Sequence, residues 1–279
     1  MSGLNSLHPL TALLLAVVAV GGRVLLDLLI GIEAGEVWQR GIEVLSAAVI
    51  VMVALQFSAG DPPRRPWALL GVAMGLVPVI RLISHLGVAF GDIKAAHLLL
   101  IGGNIFLGAS VIGFGRVLGS SELLSERTSE DRLRATAFVG LLAVIALAVI
   151  GYNTLELAGR GLPEGAGAWV ATIATTVSTL SDALVFAGGL YLLWLLRPLI
   201  GGSLARPYLL LALGAGAFLV VDILLVAAGA TTQTELVGTD YRTLLPKWLG
   251  CLAFTGFGLA AATQAALLAS ARRRVEQRG

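Results

Sequence analysis

A chain of 279 residues that is 57% hydrophobic and only 13% charged, with a mean hydropathy of +0.90, is not built as a soluble domain, where about 25% of residues are charged. Apolar runs of about 20 residues, enough to cross a bilayer, recur along its whole length, so no soluble domain is left over and the lipid bilayer is the first partner. The net charge of +2 sits in connections and tail and reports orientation rather than nucleic-acid binding, and a single cysteine, Cys251, excludes an internal disulfide.

The apolar runs predict an all-α polytopic transmembrane bundle of eight helices, over about 9–31, 37–58, 66–90, 97–118, 134–158, 168–196, 207–230 and 245–271. The N-terminus, MSGLNSLHP, has no Lys or Arg before a run longer than a signal-peptide core, so the first helix is expected to be retained. Pro9, Pro66, Pro207 and Pro246 fall at or near first-turn positions, where a missing N–H costs nothing. Pro78 is the one proline expected inside a span, with a kink.

Basic residues crowd the connections after the second, fourth and sixth spans (Arg64 and Arg65; Arg127, Arg132 and Arg134; Arg197 and Arg206) and the tail (Arg272, Arg273, Arg274 and Arg278). The alternate connections are poorer, which predicts cytoplasmic termini at both ends. The composition, rich in Ala, Gly, Leu and Val, points to a bacterial inner membrane. The charged stretch SSELLSERTSEDRLR, 120–134, marks a cytoplasmic linker, 119–133, that divides the chain into a first four-helix half, 9–118, and a second, 134–271. Arg65-Pro66-Trp67 and Arg206-Pro207-Tyr208 open the third and seventh spans alike, and Gly113-Phe114-Gly115 resembles Gly256-Phe257-Gly258, so the halves are expected to be parallel repeats.

The polar residues within spans carry the functional argument. Thr172, Thr175, Thr179 and Asp182 recur at intervals of three and four and form one stripe on a helix, which lipid cannot face. Ser and Thr also bond back to their own helix or glue helices together. Arg23, Asp27, Arg81, His85, Asn104, Asp182 and Asp222 all fall in the outer halves of their spans, while the inner halves are almost purely apolar. An ionised group inside a membrane segment is costly and marks function; for residues near the ends, such as Glu36, Arg40, Glu156, Arg242 and Lys247, snorkelling to water is the alternative reading. Arg81 and Asp222, each 15 residues beyond a matching proline, are expected to pair, with Asp182 the second choice for Arg81.

These observations predict an outward-facing polar pocket formed by Asp27, Arg81, His85, Asn104, Thr175, Thr179, Asp182, Asp222 and Lys247. Its ligand would be a small solute, a proton or a lipid head group, and the protein a transporter or permease component. Two other readings stay open: a redox-complex anchor handling a quinone or a haem b between His85 and His97, and a non-catalytic subunit or sensor with a protein partner in a membrane complex. No HExxH, Walker loop or GxSxG stands in the chain, nor does an intramembrane ExxxD or DxxxD metal array, so no metal site and no catalytic residue are assigned.

Overall fold

A computed structural model describes residues 8–119, scattered positions between 137 and 159, and residues 163–196, 203–228 and 240–277. Seven helices among the described residues are long and apolar enough to cross a membrane: α1 (Pro9–Leu29), α2 (Ile32–Gln56), α3 (Arg64–His85), α4 (Ala95–Gly119), α5 (Gly165–Leu195), α6 (Arg206–Ala227) and α7 (Tyr241–Glu276). The expected fifth span, 134–158, and the linker 119–133 lie largely outside the described residues, so α5, α6 and α7 correspond to the sixth, seventh and eighth expected spans. The protein is an all-α, multi-pass membrane protein.

Helix contacts follow a closed circuit. α2 packs on α3, α3 on α4, α4 on α5, α5 on α6, α6 on α7, and α7 returns to α2, while α1 lies outside the ring against α2 and α7. Ile50, Val53, Trp67, Leu70, Phe114, Val185, Leu192, Leu211 and Phe257 fill the ring interior. Large apolar side chains such as Leu28, Val37, Leu55, Ile105 and Leu213 remain exposed on its outside, the arrangement a hydrocarbon surround favours. The two similar helix starts meet here: Phe114 takes Trp67 edge-on at 5.1 Å and Tyr208 edge-on at 5.9 Å.

The ends of the bundle differ. At one, the last carbonyl of α2, on Gln56, accepts from Arg272 near the end of α7, beside the basic start of α3. The other carries the α1–α2 turn and a two-stranded antiparallel hairpin, β1 (Ala89–Phe90) and β2 (Ile93–Lys94), paired Ala89 to Lys94 and Phe90 to Ile93. This hairpin replaces the last turn expected of the third span. Gly91 supplies the positive φ of 65° that such a tight turn requires, and Asp92 Oδ2 accepts from the amide of Gly167 at 2.7 Å, docking the hairpin on the first turn of α5.

Two helix starts fall more than a turn earlier than expected. α2 begins at Ile32 because Gly31, at φ 130°, reverses the chain at once. α7 begins at Tyr241 because the Asp240 carboxylate caps the amide of Thr243 at 2.9 Å. Pro246 therefore lies inside a helix as Pro78 does, instead of in a first turn.

Candidate functional site

The buried charged side chains among the described residues are Arg23, Asp27, Glu43, Asp182 and Lys247. Towards the basic end the buried polar groups on α4 and α7 are hydroxyls that donate to their own helix: Ser110 to Leu107, Thr255 to Cys251, Thr263 to Leu259 and Ser270 to Leu267. Back-bonding of this kind satisfies a hydroxyl in an apolar core without a partner helix.

A cavity of about 180 Å³ opens among α3, α4, α5, α6 and α7. Its polar wall consists of Arg81 and Ser84 from α3, Asn104 from α4, Ser178 and Asp182 from α5, and Asp222 from α6. Met74, Val77, Leu107, Phe218, Val221 and Phe254 supply apolar wall, with Phe218 and Phe254 edge to face at 4.9 Å. α5 is positioned for this role by Ser181, whose hydroxyl donates to the backbone carbonyl of Asn104 at 3.0 Å; Asp182, the next residue, is buried. The Asp182 and Asp222 carboxyls are neighbours in the cavity wall, on adjacent helices, and the hydroxyl of Ser178 stands in the same wall. Asp222 Oδ2 is buried and finds no hydrogen-bond donor among the described residues.

Arg81 does not pair with Asp222 or Asp182. Its Nη2 donates to Glu43 Oε1 on α2 at 2.6 Å, and Gln39 Nε2 donates to the same oxygen at 3.0 Å. The Glu43 side chain is fully buried and that of Arg81 is 20% exposed. The reason is the order of helices around the ring: α3 sits between α2 and α4, and its guanidinium turns to the α2 side while its Nε remains without an acceptor. Glu43 is not among the residues expected at the pocket. Eleven residues past Ile32, at 1.5 Å per residue, it lies about 16 Å into the helix, too deep for a rim residue, and that depth was the available signal.

Three expected pocket residues lie elsewhere. Asp27 belongs to a second buried cluster, where its Oδ2 accepts from Arg23 Nε at 2.8 Å and from Trp248 Nε1 at 2.8 Å, joining α1 to α7. Gly35 makes this possible: a Cβ there would overlap Asp27 Oδ1 and stand 2.9 Å from Arg23 Nε. Lys247, expected to snorkel or anchor an anion, is buried against Glu36 at 3.2 Å between α7 and α2, with Arg40 3.7 Å from the other oxygen of that carboxylate. His85 is exposed at the end of α3, whereas His97 is buried near the start of α4.

The threonine stripe lies elsewhere as well. Thr172, Thr175, Thr176 and Thr179 each donate to the carbonyl four residues earlier at 3.0 to 3.1 Å. Thr175 and Thr179 are both spent on their own helix and neither lines the cavity, where Ser178 stands instead. No family model matches the chain, and neither does any curated protein or solved structure.

Proposed function

We propose that this integral membrane protein binds a small solute in the cavity at the hairpin end and exchanges it against protons, as a transporter or permease component. The observation that carries this reading is the meeting of Asp182 and Asp222, from neighbouring membrane-spanning helices, in the wall of a cavity. Two carboxyls in contact, removed from water, cannot both ionise, so the pair keeps a proton between them. Such a pair stores and releases protons as its surroundings change, which scattered structural ion pairs do not. Arg81, already neutralised by Glu43, orients the wall without cancelling the pair's charge.

The hairpin end faces the periplasm of a bacterial inner membrane in this reading, with both termini in the cytoplasm. The excess of Arg at the opposite end supports it: Arg64 and Arg65 start α3, Arg206 starts α6, and Arg272 to Arg274 end α7. A thermal-shift screen of cationic, neutral and anionic small solutes against the purified protein tests the assignment, with Asp182→Asn and Asp222→Asn alongside. At least one solute stabilises the wild type and loses its effect in both variants. A screen in which no solute distinguishes wild type from variants would remove the proposed function.

A further inference from the structure

Resting on the reading of the cavity as a proton-exchanging solute pocket, we infer that its solute is a small amphiphilic organic cation, an ammonium group on one aromatic ring or short alkyl body. The charges facing the Asp182–Asp222 pair are few. From α3 comes Arg81, with Glu43 and Gln39 of α2 behind it; α4 supplies the uncharged Asn104, α5 the hydroxyl of Ser178, and α7 the ring of Phe254. Among the described residues no other charged side chain lines the cavity. Arg81 and Glu43 cancel, and the pair with one shared proton leaves a single negative charge. A monocation completes neutrality.

An anion would meet two carboxyls, and the one cation on the wall, Arg81, already donates through Nη2 to Glu43. The body of the ligand is set by the apolar wall. Met74, Val77, Leu107, Phe218 and Phe254 offer only packing surface, and a cavity of about 180 Å³ compares with the roughly 150 Å³ that accommodates benzene. The ammonium therefore hydrogen-bonds the carboxyl pair while its hydrocarbon lies against Phe218 and Phe254, where a ring face also attracts the positive charge.

Proton balance follows. At neutral pH the empty pair holds its one proton and a single negative charge, and an ammonium ion binds there without moving a proton; in acid the empty pair takes up a second proton, which an entering ammonium expels to solvent. On the acid side binding is therefore a one-for-one exchange, and apparent affinity falls about tenfold for each pH unit lowered.

Benzylammonium, benzyl alcohol and benzoate share a shape and differ in charge, and isothermal titration of the purified full-length protein with each is the test. Benzylammonium binds best, releases one proton when titrated in acid in buffers of different ionisation enthalpy and none at neutral pH, and weakens about tenfold or more in Asp182→Asn and Asp222→Asn, the loss of one charge-assisted hydrogen bond. The wild-type proton count stands even if a variant fails to fold. Benzoate binding best, three equal affinities, or binding in acid without proton release each overturns the cation assignment. If none of the three binds while some other solute does so through the two aspartates, the cation class falls and the solute pocket stands; if no solute of any charge uses the aspartates, both fall. Repeating the benzylammonium titration in phosphatidylcholine nanodiscs with and without phosphatidylethanolamine identifies the source of the amine: a lipid amine blocks the probe, and a free amine leaves it unaffected.

Discussion

Replacing Arg81 by methionine removes the guanidinium and keeps much of the side chain's apolar length. Glu43, fully buried, then retains only the Gln39 amide at 3.0 Å. Breaking a buried ion pair by deleting one partner costs about 3–5 kcal/mol, because the other charge is stranded. The lower end applies here, since Gln39 still donates to the carboxylate and the Arg81 side chain, 20% exposed, already has some solvent contact. At roughly 2–4 °C per kcal/mol for a chain of this order of size, the unfolding midpoint in detergent should fall by about 6–12 °C. Glu43→Gln in the same chain removes the stranded charge, so the double variant should regain most of the loss, with a coupling energy of about 2 kcal/mol or more. Pairing Arg81→Met with Asp222→Asn should instead give nearly additive losses. Additivity between Arg81 and Glu43, or strong coupling between Arg81 and Asp222, would refute the pairing described here.

Other consequences are equally direct. Gly35→Ala forces a methyl onto Asp27 and Arg23, so it should separate α1 from α2 and disturb the bond to Trp248; the check is a change in tryptophan emission together with a lower unfolding midpoint, larger than for Gly41→Ala, where the added methyl meets nothing. Asp92→Ala removes the acceptor for the Gly167 amide and should cost about 1 kcal/mol, seen as faster hydrogen exchange in the first turn of α5. Asp240, outside the span, is held below the usual carboxylate range chiefly by the backbone amide of Thr243, then by the Thr243 side chain, with Arg242 adding to it. A depressed carboxylate stabilises the fold above its unfolded value of about 3.9 and loses that contribution as pH falls through its lower folded value. The amides of Thr243 and Leu244 should therefore lose protection only in acid, and Asp240→Asn should abolish that acid dependence.

How far the sequence could be read depended on the kind of information each feature needed. Span positions need only apolar length, and most were found within a few residues. The exceptions were ends set by single side chains or glycines, such as Gly31, Asp240 and the Gly91-Asp92 turn, where the Phe-Gly-Asp-Ile run carried a hairpin signal. That Asp182, Asp222, Asn104 and Arg81 meet at one cavity followed from depth, because charges in spans avoid lipid and seek one another. Which charge holds which did not follow, because depth says nothing about the order of helices around a ring. Asp27 and Lys247 share the depth of the cavity but point to the α1–α7 and α2–α7 seams, and Thr175 and Thr179 share a stripe whose hydroxyls bond back to their own helix, leaving Ser178 and Asp182 at the cavity.

The carboxyl pair can be observed directly. Infrared difference spectroscopy of the wild type at neutral pH, against Asp182→Asn and Asp222→Asn, looks for the carbonyl vibration of a protonated carboxylic acid. One proton held jointly gives one such band in the wild type, and either single substitution removes or displaces it. A wild type with no protonated carboxyl, or a band that survives unchanged in both variants, would contradict the account.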